Sequence, residues 1–328
     1  GQHGYNASPG PAHKAFASAT TTHGARLFQL RTKTAGIVAS QPQPAQAPGQ
    51  FPDNTAMQVL VPYAYVNDPQ CAQLAASLQL PRLELLLRDL VLTDTMAGSA
   101  DDLSPPHERL RAQAMGVEAA DGRIPWAALA LAAAGQAPDA KGHAWITPAH
   151  WQVGTGHIQM LDPDMLQLQE PESLALMQAM APYFEQDGMA LEFQNAGRWL
   201  ASGDLLADLA SASLDRVRGA DVGPWMPAKP ALRRLQNEMQ MLLYTHPVND
   251  ARVARGQKPV NSFWVSGSGS HAAQPPAGPE PLTADGLRQP ALQGDWQRWA
   301  EAWQKIDQGA CASLLQELQA GRPASLVM

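Results

Sequence analysis

The sequence predicts an α/β protein: a mixed, mostly parallel sheet with helices on both faces and a small hairpin subdomain. Three observations carry this. Met57-Gln-Val-Leu-Val-Pro-Tyr-Ala-Tyr is an apolar run of the length and character of a buried strand. It is followed by Leu83, Leu86, Leu87 and Leu90 at helical spacing, the strand-then-helix order of a βαβ-type sheet. The composition, 45% apolar and 16% charged over 328 residues, suits a packed body with one large core or two modest ones.

Residues 1–56 read as a linker-like or disordered extension, because Ser, Thr and Ala dominate and the Gln/Pro/Ala tract from Gln41 to Pro52 cannot form a core. Met57 is then the natural start of a single α/β domain over residues 57–328, and hairpin signals allow an inserted subdomain around residues 143–201. Ser104-Pro-Pro-His-Glu-Arg opens a helix, with Ser104 as N-cap, Pro105 in the first turn and His107 and Glu108 exposed on that turn, where they either meet a ligand or, as an equal alternative, place favourable charge at the positive helix end. Pro125-Trp126 starts an Ala-rich helix that reads as scaffold.

His143 to Leu161 reads as two strands about a Gly154/Gly156 turn. Its three histidines do not have ligand spacing, since His143 and His150 fall on opposite faces of an extended chain and Pro148 interrupts the pleat. Thr147 and His150, flanked by Trp145 and Trp151, are candidates to line a cleft. Glu172 to Glu185 is a helix with Leu174, Met177, Met180 and Ala181 as its apolar stripe. Asn195-Ala-Gly197 then joins two alternating strands as a hairpin.

The densest polar set runs from Arg233 to Gly269. Leu232, Leu235, Met239 and Leu242/Leu243 give the buried stripe of a helix begun by Pro230, with Asn237 and Glu238 to one side and an Arg234–Glu238 pair at i, i+4. Thr245-His246-Pro247 breaks it. His246, Asn249, Asp250, Arg252 and Arg255 follow in a short helical turn ended by Gly256, and Asn261 sits in a strand that leads into Ser266-Gly267-Ser-Gly269. A Gly/Ser turn after a strand offers free backbone N–H groups to an anion, and Arg252 or Arg255 offers a planar fork to a carboxylate or phosphate. A satisfied network tying helix to sheet is the equal alternative. Beyond it, Trp296, Trp299 and Trp303 at i, i+3, i+7 mark a packing face, with a partner groove the lesser reading.

The net charge of −7 combines a stretch without Asp or Glu before Asp53 with 19 Lys+Arg against 30 Asp+Glu afterwards. An acidic body without a basic stripe is a poor nucleic-acid binder. The longest apolar run, Trp126 to Ala134, is too short to cross a bilayer. Cys71 and Cys311 form no Cys-x-x-Cys pair and fit a reducing cytoplasm.

The run from Arg233 to Arg252, with Val260-Asn-Ser-Phe-Trp264-Val-Ser-Gly267-x-Gly269, resembles a proteobacterial family named both as RpfE-type regulatory proteins and as cofactor-independent phosphoglycerate mutase-like proteins. Ser104-Pro-Pro-His-Glu-Arg, Thr147-Pro-x-His150-Trp and Ala212-Ser-Leu-Asp215-Arg-Val are similar to further blocks of it. The resemblance implies the α/β sheet of the alkaline-phosphatase superfamily, whose enzymes use two metals held by about six Asp and His ligands and a phosphoryl-accepting Ser. Here Pro62-Tyr63-Ala64 stands where an Asp-Gly ligand is expected, and Asp139-Ala-Lys-Gly-His143 has no second ligand motif to complete it.

The expectation is therefore a cytoplasmic mutase-like protein that binds rather than transfers, with no metal or other cofactor. The alternative is an active mutase, phosphotransferase or hydrolase on small phosphorylated substrates, with His246 or His150 as acid/base. Ligand contacts are expected from Glu238, Asn237, Asn249, Arg252, Arg255, Asn261, Ser266, Gly267, Gly269, Thr147 and His107. The partner is a small anionic ligand or a regulatory protein, not nucleic acid or a membrane.

Overall fold

The computed structural model describes residues 25–32, 56–136, 141–270, 276 and 278–328. They fall into two units, one within Gly1–Ala100 and Glu280–Met328, the other Asp101–Pro279. In chain order the first unit contributes β1 (Ala25–Thr32), β2 (Met57–Leu60), α1 (Pro69–Ser77), α2 (Pro81–Asp89) and β3 (Leu90–Gly98). The second comprises α3 (Pro106–Ala114), α4 (Trp126–Ala133), β4 (His143–Ala149), β5 (Trp151–Val153), β6 (Ile158–Met160), α5 (Glu170–Gln186), β7 (Ala190–Asn195), β8 (Arg198–Ser202), α6 (Pro230–Tyr244), α7 (Pro247–Ala254) and β9 (Ser262–Gly269). The chain then returns to the first unit with β10 (Leu282–Thr283), α8 (Trp296–Ile306), α9 (Ala312–Gln319) and β11 (Ala324–Val327).

The α/β class holds. The first sheet is mixed, in the order β10-β2-β11-β1-β3, with β2 parallel to both neighbours and β1 antiparallel to both of its own. β1 lies inside the stretch whose composition reads as linker-like. Averaging over 56 residues hides an eight-residue segment, Ala-Arg-Leu-Phe-Gln-Leu-Arg-Thr, that pairs along β3 from Ala25↔Gly98 to Thr32↔Leu90. The Gln41–Pro52 tract lies outside the described residues.

The core of this unit is built on tryptophan. Trp299 and Trp303 are fully buried and meet edge to face, with ring centroids 6.2 Å apart. Their indole N–H groups donate to the carbonyls of Tyr63 (2.9 Å) and Ala64 (3.3 Å), where the chain leaves β2 with Tyr63 in the left-handed region at φ 58°. The helical spacing of these tryptophans thus serves packing. Leu83 and Leu86 are buried as their spacing predicts. No side chain of its own caps α2. Instead the buried Asp307 accepts the Leu83 N–H at 2.8 Å, a carboxylate at a positive helix end.

Both cysteines are free and buried. Burial, aided by Asp307 and opposed by Arg82, pushes the Cys311 thiol up to about 12, and burial likewise raises Cys71. Since the thiolate is the reactive species, neither cysteine is expected to react with a disulfide-exchange reagent at pH 7.5 until the unit unfolds. Release of thiol-coupled chromophore from the native protein within minutes would contradict that.

The second sheet, β7-β8-β4-β9, is antiparallel throughout, and the β7/β8 hairpin is one half of it. One face, with Ala144, Ile146, Trp199, Ala201, Phe263 and Val265, packs on Leu176, Met180 and Phe184 of α5 and on Leu232, Leu235, Met239 and Leu243 of α6. The Trp199 indole donates to Ser173 Oγ at 2.9 Å, and that hydroxyl donates to the carbonyl of Ala196 at 2.7 Å. The other face is met by α4 and by the segment from Leu209 to Trp225, through Trp264, Ala212, Val217 and Val222. Helices therefore cover both faces of this sheet. No helix among the described residues is long and apolar enough to cross a membrane.

Candidate functional site

The start of α3 differs from its sequence reading. Ser104 does not cap it: the Ser104 hydroxyl accepts the N–H of Gly122 at 2.9 Å, while Asp121 takes the N–H groups of Leu103 and Ser104, each at 2.7 Å. Pro105 becomes the N-cap and Pro106 the first helical residue. Gly122 is at φ +71°, and a Cβ there would sit 2.5 Å from the Leu103 side chain, so this tie requires glycine. The result turns His107 inward, to 8% exposure, rather than onto an open first turn.

Inside, His107 meets a segment more than a hundred residues away. Its Nε2 lies 3.3 Å from Asp215 Oδ2, both side chains being buried. The neighbouring Glu108 keeps some exposed surface, but its carboxyl is enclosed: Oε1 accepts the Ser213 hydroxyl at 2.5 Å and Oε2 faces the Trp126 indole N–H at 3.4 Å. Burial raises the Glu108 pKa, against the pull of His107 and Ser213, with Asp215 adding to the rise. His107, Glu108 and Asp215 place one ligand-type atom each within 4.8 Å of one another, and no other such trio of His, Cys, Asp or Glu occurs among the described residues.

A half-buried arginine holds the far side. Arg218 Nη1 contacts Asp162 at 2.7 Å and Asp164 at 2.9 Å, with Asp215 at 3.9 Å from its Nε. Burial works against this charge, but Asp164, Asp162 and Asp215 outweigh it and hold the guanidinium above its ordinary pKa. Arg111 and Arg216 stack on Trp126 and Trp225, 4.5 and 5.4 Å from the ring centroids. Of this cluster, the sequence points to His107 and Glu108, as a pair that meets a ligand at the helix N-terminus or places charge at its positive end, and to His107 as a ligand contact. Ser213 and Asp215 both fall in a block of the resemblance to which no role attaches, Asp162 opens a turn, and Arg218 belongs to no motif. The usable signal is the polar pair Ser213-x-Asp215 directly after the small and apolar run from Leu209 to Ala212.

The Arg233–Gly269 stretch is occupied with itself. Arg252 is wholly buried and donates to Glu172 Oε2 (2.6 Å), the Leu166 carbonyl (2.5 Å) and the Lys258 carbonyl (2.9 Å), while Arg255 takes the other Glu172 oxygen. Asn249 donates to the carbonyls of Leu243 and Val260 and accepts the Val260 N–H. Asn261 accepts the Trp151 N–H at 2.7 Å and donates to the Trp151 carbonyl at 2.9 Å. His150 Nδ1 is 2.8 Å from the Pro259 carbonyl, and burial, with Lys258, lowers its pKa despite that bond. His246 is the N-cap of α7, its ring nitrogen accepting the Val248 N–H at 3.2 Å. Glu238 pairs with Arg234 at 3.6 Å on the open side of α6, and Asn237 is exposed.

The glycine turn is likewise covered. β9 continues through Ser266, paired with Trp145, to Gly269, paired with His143, and Thr147 pairs with Trp264. Gly267, at φ +61°, would place a Cβ 2.9 Å from Trp126 Cβ, and Gly269 one 2.9 Å from Pro125 Cβ. These glycines let α4 lie close on the sheet instead of forming an open nest. Asn249 and Asn261 converge with Leu243 and Pro259 on an open groove of about 960 Å³ between α6 and α7, where Met241, Tyr244 and Val253 stand exposed. Thr147, Ser266 and His107 do not line it. Asp139 lies outside the described residues.

No family model matches the chain, and no curated protein does. A cofactor-independent phosphoglycerate mutase from Thermoplasma acidophilum DSM 1728 is distantly similar in structure, with a TM-score of 0.35 and 14% identity. The similarity covers 67% of this chain and 60% of that one, so the chain spans about three fifths of that enzyme's length.

Proposed function

We propose that this protein, resembling the RpfE-type and phosphoglycerate mutase-like family in its motifs, works in the bacterial cytoplasm by binding, in a regulatory role, and does not transfer phosphoryl groups. The observation that carries this reading is the donor set. A two-metal clamp needs about six oxygen and nitrogen ligands around ions about 3.5–4 Å apart, whereas the described residues gather a single trio. The turn after β2 agrees with it. Where the resemblance expects a first ligand, Tyr63 and Ala64 have their carbonyls bonded by Trp299 and Trp303.

The alternative with Arg252 gripping an anion and His246 or His150 moving the proton finds no such support. Arg252 has no exposed surface, and its guanidinium bonds are directed to its own chain. An open groove rimmed by Met241, Tyr244 and Val253 is the kind of apolar surface that serves contact with a partner. The test is a coupled assay for interconversion of 2- and 3-phosphoglycerate with Mn²⁺ or Zn²⁺ present. The expected result is a rate indistinguishable from a heat-inactivated control, and turnover proportional to protein concentration overturns the proposal.

A further inference from the structure

We propose that His107, Glu108 and Asp215 form a mononuclear site for a divalent transition-metal cation, Zn²⁺ or Mn²⁺. The inference rests on the binding reading and deepens it. The ligand types are right: one imidazole and two carboxylates make a borderline N/O set of the kind these ions take. The spacing is right as well. Two ligands at about 2.1 Å from a tetrahedral ion lie ~3.4 Å apart, and His107 Nε2 and Asp215 Oδ2 are 3.3 Å apart. Glu108 completes the trio within 4.8 Å, so closing the shell takes a shift of about an ångström in one carboxyl group.

The surroundings hold each ligand in place. Ser213 donates to Glu108, the outer contact that orients ligating carboxylates in metal sites. Arg218 is committed at 2.7 and 2.9 Å to Asp162 and Asp164 and stands 3.9 Å from Asp215. Arg109, close in sequence, pairs with Asp102 at 2.8 Å. Two enclosed carboxylates thus stand beside one histidine. A cation would join the first turn of α3 to the segment around Asp215. Three protein ligands leave a coordination position for water or for an oxygen of an anionic ligand, which gives the anion expected from the sequence a route to this chain that Arg252 does not offer.

The test uses the whole chain, stripped by chelator dialysis and titrated with Zn²⁺ and separately with Mn²⁺. Uptake of one equivalent is expected, with a rise in Tm of about 5 °C at a hundredfold excess over Kd. Asp215→Asn and Glu108→Gln should each weaken affinity at least tenfold, and Ser213→Ala by less. Unchanged affinity in His107→Gln places the ion on another histidine and overturns the site, as does failure of the folded parent to take up either ion. Because these side chains are buried, folding of each variant is checked by circular dichroism. The visible spectrum of the Co²⁺-loaded parent gives a readout that needs no variant: four-coordinate bands support the site, and a hexa-aquo-like spectrum overturns it. Metal uptake together with phosphoglycerate turnover would sink the non-transferring function and leave the site standing. No uptake and no turnover would do the reverse.

Discussion

Replacing Arg252 by alanine is expected to destabilise the second unit by about 3–5 kcal/mol, the range for removing one partner of a buried ion pair. Three acceptors lose their donor at once: Glu172, Leu166 and Lys258. The low end of that range is favoured because Glu172 keeps 16% of its side-chain exposure and a second pairing with Arg255. Urea denaturation at pH 7 measures the loss, and a change below about 1 kcal/mol would mean that the guanidinium is not the tie described. Glu172 gives the same network a pH signature. Burial pushes its pKa up, but the Gln169 N–H, Arg252 and Arg255 together hold it below the ordinary value. A depressed folded-state pKa contributes stability above the unfolded value of about 4.3, and that contribution is lost as pH falls through the folded value. The parent should therefore lose stability on acidification below about pH 4.5 more steeply than Arg252→Ala.

Trp299→Ala is the matching test for the first unit. The indole is fully buried, touches Trp296 and Trp303 edge to face, and donates to the carbonyl of Tyr63. Losing a large core aromatic costs about 3–5 kcal/mol, and here a polar carbonyl in a left-handed turn also loses its donor. Chemical denaturation should show the midpoint displaced accordingly. Trp299→Phe, which keeps a six-membered aromatic ring but loses the N–H and the rest of the indole, should recover part of the difference. Equal losses in the two variants would mean that the six-membered ring kept by phenylalanine contributes nothing.

Helix and strand identities were legible wherever one face is buried along a continuous stretch. The stripe Leu232, Leu235, Met239, Leu243 is fully buried, as its spacing demands. The hairpins at Gly154 and Gly197 also stand where turn chemistry puts them. Partners of polar groups were far less legible. Ser104 has the chemistry of an N-cap, yet the N–H that it serves belongs to Gly122. A serine's choice between two nearby donors depends on how the loop closes, which local pattern does not encode. Gly267 supports two readings, an open anion cradle or a close approach of another element, and only the position of Trp126 decides between them. The His107–Asp215 contact joins blocks that are individually visible, but nothing in a single sequence couples them.

The position of β11 has a consequence for the order in which the protein can form. It lies between β1 and β2, so the first sheet cannot close until residues 324–327 have been synthesised. Residues 101–279, a continuous segment with its own core, are synthesised before that strand. A contiguous unit needs no chain beyond itself, whereas a sheet stitched from both flanks bears the loop-closure entropy of the whole intervening stretch. Biosynthesis should thus yield the inner unit first and leave β1 and β2 waiting, with unpaired edges that only the arrival of the C-terminal strand removes.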